Sequence, residues 1–470
     1  MPLFKKPIEQ EFFSLRLRAG RPMTELEFYA KELTDWETSP ERREMIDGDR
    51  YYTGDHDILK RQRTAIGPDG KLIVIENLPN NRIVDNQYAK HVDQKANYLL
   101  GQPISFSCEN DDYAAEVKKV LGMRFMRTLK SAGVECLNAG ISWLYPYYNK
   151  NGELAFRVFP GYEIMPFWAD AAHTELDSAL RLYPVEVYYG TEKKIVKKVD
   201  LFTLEGVTTY IFENGVLTPD TEKQAYVKVK DSKGNEQPLN WERFPLIPIK
   251  YNPKEVPLIR RGRSLQDAIN LLQSDFVNNM EEDVRNTVLV LKNYDGQDLG
   301  EFRRNLTTYG AIKVRTVEGT DGGVDSLEIS VNSENYKTVL ELLKKALIEN
   351  LRSYDAKDDR LSGTPNQMNI QSMYCDIDLD ANAMETELQA SFEEILWFVN
   401  TYLANTGKGS YESEDITVIF NRDILINESE AIDNCSKSVG IISDETIVAM
   451  HPWVDDPAAE LERLEKQKEE

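Results

Sequence analysis

Four cysteines, Cys108, Cys136, Cys375 and Cys435, are too few and too scattered along 470 residues for a disulfide framework or a zinc ribbon. Buried free thiols are the expectation. Histidine is equally scarce. His56, His91, His173 and His451 include no pair at metal-ligand spacing, which leaves a zinc hydrolase without visible ligands. No stretch approaches the roughly 18 apolar residues that a membrane span needs. The opening MPLFKKPIEQEFF lacks the apolar core of a signal peptide, so a soluble intracellular protein is expected. Basic residues are outnumbered, with 56 Lys and Arg against 79 Asp and Glu, a net charge of −23 and a pI near 4.8. A tight DNA binder neutralises phosphates with Lys and Arg. This chain as a whole cannot, so any contact with nucleic acid is expected to be local and weak. A phosphate-binding loop is also missing. The nearest match, YLANTGKGS, has Tyr402 where the first Gly belongs and Gly409 where Ser or Thr belongs, and reads as a helix-terminating turn. There is no Gly-x-Ser-x-Gly elbow.

What is present is a globular composition, 41% hydrophobic and 29% charged, on a length that suits two to four domains. Residues 25 to 60 read as a helix running into DGDRYYTGDHDILKRQR. In IVDNQYAKHVDQKANYLL, Ile83, Val84, Tyr88, Val92, Ala96 and Leu99 recur at helical spacing, with Gly101 where a C-cap would sit. Another helix is expected over 125–140. From 141 to 252 aromatic and β-branched runs alternate with turn signals. Asn151-Gly152 and Asn214-Gly215 mark hairpins in a mainly antiparallel β region. The helical period returns at 264 with Leu265, Ala268, Ile269, Leu272, Phe276, Met280 and Val284. A compact strand, short helix, strand, turn, strand insert follows, and then a helix faced by Val339, Leu342, Leu343, Ala346, Leu347 and Leu351. A long helix over about 370–404 carries Leu388, Phe392, Ile395, Val399 and Tyr402 on one face, and the chain closes with a small helical unit over 438–470. The class is α+β.

Between the last two long helices lies AKDDRLSGTPNQMN, residues 356–369. A loop so polar and long is uncommon inside a domain unless it is functional or disordered. Its neighbour DIDLDANAMETE places Asp376, Asp378, Asp380, Asn382 and Glu387 on calcium-loop positions. However, Ala381 stands where the sharp turn needs Gly, and the segment reads as continuous helix. A helix fans these carboxylates around its surface, so a solvated or inter-subunit acidic face is expected, with Asp376, Asp378 and Asp380 the only metal candidates. Basic clusters occur at KKIVKK (193–198), RRGR (260–263), Arg303-Arg304 with Lys313 and Arg315, and Lys344-Lys345. None is interleaved with aromatics as in a single-strand binder.

The ordered set of YYTGDHDILKRQR, NNRIVDNQYAKHVDQKANYLLGQPISF, RFPLIPIKYN, VLVLKNYDG, EFRRNL, AIKV, DGGVDSLEISV, YLANTGKG, INESEAI and GIISDETIVAMHPWVDDPAAELERLE spans nearly the whole chain. It resembles the portal proteins of tailed double-stranded DNA bacteriophages that infect Gram-positive hosts. The resemblance implies a ring, usually dodecameric, at one capsid vertex, through which DNA is packaged and ejected. Residues 1–263 would be a β-rich wing, 264–287 and 334–355 a two-helix stem, and 288–333 a small α/β clip. Residues 356–369 would be a tunnel loop, 370–424 a long wing helix and its return, and 425–470 a helical crown.

On that resemblance, the tunnel loop would face DNA. Lys357, Asp358, Asp359, Arg360, Ser362, Thr364, Asn366 and Gln367 are formally neutral together and would offer sequence-blind hydrogen bonds to phosphates. Lys344, Lys345 and Arg352, on the second stem helix, would line the channel. Arg303, Arg304, Lys313 and Arg315 would lie in the clip that docks the terminase large subunit and later the head–tail adaptor. Further implied partners are the major capsid and scaffolding proteins. No membrane, cofactor or catalytic residue is implied. The expected location is the virion, after assembly in the host cytoplasm. Two rivals remain: a metal-dependent nuclease built on Asp376, Asp378 and Asp380, and another head–tail connector or minor capsid protein. Part of the apolar faces of both stem helices is expected to pack between subunits.

Overall fold

The computed structural model describes residues 23–66, 69–75, 78–230, 236–283, 288–292, 323–327, 333–355, 367–411, 413–422, 428–454 and 457–469. Its helices are α1 (Glu25–Glu37), α2 (Pro40–Thr53), α3 (Gln87–Leu100), α4 (Asp111–Val120), α5 (Met123–Ala139) and α6 (Ile259–Asp283). They continue with α7 (Ser333–Asn350), α8 (Gln367–Asn405), α9 (Glu428–Ser438), α10 (Asp444–Ala449) and α11 (Pro457–Glu469). The strands begin with β1 (Thr64–Ile66), β2 (Leu72–Val74), β3 (Ser105–Ser107), β4 (Ile141–Tyr148), β5 (Leu154–Phe159), β6 (Ile164–Trp168), β7 (Leu176–Tyr189) and β8 (Glu192–Thr203). After these come β9 (Gly206–Glu213), β10 (Val216–Pro219), β11 (Val227–Lys230), β12 (Glu236–Leu239), β13 (Ile247–Lys250), β14 (Val288–Lys292), β15 (Gly323–Leu327) and β16 (Thr417–Ile419). The chain divides into two units: residues 1–54, 86–263 and 348–470 form the first, and 55–85 and 264–347 the second.

In the first unit the expected antiparallel region is a five-stranded sheet in the order β10-β9-β8-β7-β6 and a three-stranded sheet β13-β4-β5. Asn214 and Gly215 close the two-residue β9–β10 hairpin with φ of +53° and +76°. That left-handed pair matches the strand twist and suits Asn-Gly. Helix α1 lays Phe28, Tyr29, Leu33 and Trp36 onto Phe167, Leu180, Leu182, Val199 and Phe212 of the larger sheet. The single helix expected over 25–60 is in fact two. Ser39 caps α2 by accepting from the Arg42 amide, and Pro40 is its first residue. Proline lacks the amide that a continuing helix would need, and is at home in a first turn. Helix α5 ends at Gly140, whose φ is +82° and whose missing Cβ would lie 2.2 Å from the Glu255 carbonyl oxygen. Gly101 does cap α3, but in the right-handed region, so its conformational freedom is not what is used there. Helix α8 buries Leu388, Phe392, Ile395, Val399 and Tyr402, as the stripe foretold. It stops in the YLANTGKG turn, where Gly407 has φ +71° and the Lys408 amide donates to the Leu403 carbonyl at 2.9 Å.

The second unit holds the main departure. The α6 face that is fully shielded is polar: Gln266, Asn270, Ser274 and Asn278 are each 0–1% exposed, with Ile269 beside them. Residues Ile83 and Val84 do not belong to a helix, because Asn86 caps α3 from its own side chain. Instead the alternate amides of Asn81, Ile83 and Asp85 donate to Asn278 Oδ1 (2.7 Å), Ser274 Oγ (2.9 Å) and Asn270 Oδ1 (3.0 Å). The Gln266 side chain donates to the Asp85 carbonyl at 2.7 Å. The register has a geometric cause. Four helical residues rise about 6 Å, and two extended residues advance about 6.6 Å. A polar side chain at every fourth position therefore meets every second amide. Asn270 also bonds His56 Nδ1 at 2.7 Å. Helices α6 and α7 meet through Phe276 against Tyr336, ring centroids 4.8 Å apart, and Asn279 Nδ2 on the Tyr336 hydroxyl. Strands β14 and β15 pair antiparallel, and residues 293–322 of the insert lie outside the described residues. Of the two apolar helix faces read from the sequence, Leu347 is buried whereas Met280, Val339 and Leu342 are 53%, 44% and 62% exposed.

Replacing Asn270 by Leu keeps its bulk but removes the acceptor of the Asp85 amide and the partner of His56 Nδ1. An unsatisfied buried polar group costs about 1–3 kcal/mol. The variant is expected to unfold at lower urea concentration, with the Asn81–Asp85 amides exchanging deuterium faster. Unchanged exchange there would contradict the ladder.

Candidate functional site

Five residues from distant parts of the chain converge in the first unit. Asp380, on α8, is 4% exposed, and Lys95, on α3, is 5% exposed. Lys95 Nζ sits 2.8 Å from Asp380 Oδ2 and donates to the backbone carbonyl of Arg352 at 2.9 Å. Tyr251, just beyond β13, donates its hydroxyl to the same carboxylate oxygen at 2.6 Å. Arg261 Nη1, in the first turns of α6, reaches Asp380 Oδ1 at 3.0 Å and the Tyr251 hydroxyl at 3.1 Å. Arg352 Nη1 stands 3.8 Å from Asp380 Oδ1. Three cations thus surround one carboxylate.

Burial alone would raise the Asp380 pKa. The Lys95 ammonium, with the hydrogen bonds from Lys95, Tyr251 and Arg261, outweighs it and holds the carboxyl below its usual value. For Lys95 burial wins, and its pKa falls despite Asp380. Burial and the neighbouring carboxylate push the Tyr251 phenol well above its ordinary range. Both oxygens of the carboxylate are taken up by contacts within the fold.

Its position gives it interest. Arg352 follows the end of α7 and has a left-handed φ of +51°, a backbone state uncommon for a residue with a Cβ. Three residues later the described chain stops, at 355, and it resumes at Gln367, the first residue of α8. Both flanks of the polar loop are held. Tyr354 packs on Tyr374 of α8, ring centroids 4.6 Å apart, and Tyr374 stacks on Tyr98 of α3 at 5.8 Å. Gln94 donates to the Tyr354 carbonyl at 3.3 Å. The Gln367 amide donates to Glu430 Oε2 at 2.9 Å. Lys90, Asp93, Gln94, Asn97, Tyr98 and Tyr354 line a cleft of about 420 Å³ beside this stack.

The carboxylates singled out in the sequence do not come together. Asp376 is exposed, Asp378 accepts from Tyr98 and pairs with Arg422, and Asp380 is interior. Positions two apart on a helix turn by about 200°, so Asp378 faces away from Asp376 and Asp380, and those two, one turn apart, are separated by burial, Asp376 exposed and Asp380 buried. Among the described residues no cluster of His, Cys, Asp and Glu is arranged to hold a metal. Asp380 is a correction to the acidic-face reading, because it is an internal ion-pair partner and not solvated. Arg352 is a second correction. It lies past α7 and not on it, because that helix ends at Asn350. Lys344 pairs with Asp85 at 2.7 Å in the second unit, and Lys345 is exposed. Lys357, Asp358, Asp359, Arg360, Ser362, Thr364 and Asn366 lie outside the described residues, as do Arg303, Arg304, Lys313 and Arg315. The hub residues Lys95, Tyr251 and Arg261 carried no sequence signal beyond Arg261 standing in RRGR.

The antiparallel sheets, the β14–β15 pair between α6 and α7 and the long α8 follow one another in the order expected from the ordered motifs. The chain belongs to the phage portal protein family of SPP1 Gp6-like members, whose family model matches residues 36–470. It is 30% identical over 427 residues to the portal protein of Bacillus phage SPP1, covering 90% of this chain and 83% of that one. It is 27% identical over 435 residues to the portal protein of Clostridium phage phiCD119, covering 90% and 92%. A chain in the solved virion of a native gene transfer agent particle superposes with a TM-score of 0.39 at 12% identity, covering 76% of this chain and 87% of that one. Portal proteins are virion components, and no described helix is long and apolar enough to cross a membrane.

Replacing Asp380 by Asn would leave Lys95 buried without its counter-ion. Breaking such a pair costs about 3–5 kcal/mol. Because the folded carboxyl is depressed, its contribution is present above the unfolded Asp value of about 3.9. It is lost as pH falls from there through the folded value. Asp380→Asn is therefore expected to lower the thermal midpoint at pH 7 and to flatten the acid limb of the stability profile. A variant as stable as the parent at pH 7 would contradict the hub.

Proposed function

We propose that the chain closes into a ring, twelve-fold by analogy with its family, at one capsid vertex, and serves as the conduit for packaging and ejecting genome DNA. The observation that carries this reading is the family match over nearly the whole chain. The protein does no chemistry of its own. The energy for transport comes from a separate terminase ATPase, which docks on the clip, 288–333, through Arg303, Arg304, Lys313 and Arg315. The head–tail adaptor later takes the same place, and capsid and scaffolding proteins surround the ring, which assembles in the host cytoplasm. Residues 1–263 and 370–424 make the wing, 264–287 and 334–355 the stem, and 425–470 the crown.

Residues 356–366 are the tunnel loop, shortened from 356–369 because Gln367, Met368 and Asn369 belong to α8. A conduit must not retain its cargo. An acidic chain of net charge −23 repels phosphate, and a neutral loop of hydroxyls and amides holds it lightly. The anchored flanks of that loop support the reading. Tyr354, Tyr374 and the Arg352 carbonyl are tied to α3 and α8, so the loop starts and ends at fixed points. Lys345 is the better candidate for a channel-lining cation, because Lys344 is already engaged by Asp85.

Electron microscopy with native mass on the purified protein tests the assembly. Twelve copies of 53.9 kDa give a closed particle of about 650 kDa with an axial hole. Monomers at every salt concentration would overturn the conduit reading. In virions, Lys345→Glu is expected to shorten the packaged genome, whereas full-length packaging would remove Lys345 from the channel wall.

A further inference from the structure

Three carboxylates around the crossing of α2 and α5 are held by arginines. Glu44 pairs with Arg260, and Asp47 with Arg50 at 2.6 Å and Arg263 at 2.7 Å. Glu163, in the 3-10 turn Gly161–Glu163, pairs with Arg181 at 2.9 Å. Two others are left without a cation. Asp49 on α2 and Glu135 on α5 make no ion pair among the described residues. The Oε2 atom of Glu135 is shut off from water and meets no donor. Asn138, one turn further along α5, is 1% exposed, yet its Nδ2 does not bond the carboxylate. The Tyr52 hydroxyl, on α2, donates to Asp93 Oδ1 at 2.9 Å instead.

The two helices touch here without clearance. A Cβ on Gly48 would lie 1.9 Å from the Asn138 carbonyl oxygen. Asp49 follows Gly48 directly, and its charge and that of Glu163 both act on Glu135. Tyr52 and Tyr162 in turn feel the Glu135 charge. Among the described residues no Lys, Arg or His on the elements packed against α5 opposes these negative charges at Glu135. A buried carboxylate without a donor is costly when ionised and far less so as the neutral acid. Burial, followed by the charges of Asp49 and Glu163, pushes the Glu135 carboxyl up to about 7, and burial raises that of Asp49.

We propose that Glu135 is a proton-operated contact between α2 and α5, with the charge of Asp49 set against it. Protonated, its carboxyl is a neutral group that the crossing tolerates. Ionised, it faces Asp49 with no donor to its buried oxygen, and the packing of α2 on α5 loosens. Glu44 and Asp47 tie α2 to Arg260 and Arg263 in the first turns of α6. The proton therefore acts on the segment that brings Arg261 to Asp380. The folded value lies above the unfolded Glu value of about 4.3. The fold thus carries no penalty below that value, and stability is lost as pH rises from there through about 7.

Glu135→Gln keeps the side chain's shape and removes its charge at every pH. Urea unfolding of the full chain at pH 5 and pH 8 is the test. Over that range the unfolding equilibrium constant of the parent is expected to rise at least about tenfold relative to that of the variant. The α2 amides, corrected for intrinsic exchange, should lose deuterium protection at pH 8 in the parent and not in the variant. Parallel pH profiles of the two proteins would overturn the proposal. A second variant, Asp49→Asn, removes the opposing charge and is expected to move the midpoint of the pH dependence downward. A merely structural role for Asp49 would lower stability equally at both pH values. An unmoved midpoint would overturn the opposition of the two carboxylates.

Discussion

A single buried negative charge holds the first unit together where it matters most. Water is nearly absent around Asp380, so its charge is tolerable only while cations and a phenol replace the lost hydration. Isolated burial of such an ion costs several kcal/mol even after relaxation. That cost obliges α3, the chain after β13, the start of α6 and the turn after α7 to arrive together. The same interaction fixes the Arg352 carbonyl through Lys95, which places the end of α7 at a defined point before the polar loop. The tyrosine stack does the same from the α8 side. On the proposed function, residues 356–366 meet moving DNA and have to give without dragging their supports along. An ion-pair hub and a ring stack resist such a pull better than apolar packing alone, because both are directional.

The second unit solves a related problem with neutral groups. The segment 81–85 has no sheet partner, and its amides cannot be left dry. A helix face of Asn, Ser and Gln supplies acceptors at matching intervals. This polar face fixes one register, where an apolar face would let the segment slide. The two units therefore share a logic in which buried polar contacts set position while the aromatic and aliphatic cores supply bulk stability.

Much of this was legible in the sequence. The α8 stripe, the β-rich middle and the Asn-Gly hairpin were written in side-chain period and turn chemistry, which depend on neighbours a few residues apart. The family was legible because its motifs recur in order. Ser39-Pro40 was a readable helix break that the longer apolar pattern masked. The hub was not legible. Its members at 95, 251, 261, 352 and 380 are joined only by tertiary structure, and a charged residue in a helix looks the same whether it meets water or a buried lysine. Asp380 was noticed, but as one of an acidic cluster. The polar ladder did leave a signal, four polar residues spaced by four from Gln266 to Asn278. Apolar periodicity drew the eye to the opposite face.

The most direct measurement is a double-mutant cycle between Lys95→Met and Asp380→Leu in the assembled protein, read by chemical unfolding. If the two groups hold each other as the geometry shows, the double variant will be far more stable than the sum of the single losses implies, with a coupling of about 2–3 kcal/mol. Additive losses would mean that Lys95 and Asp380 are held independently, and the account of a hub fixing the loop's root would fail.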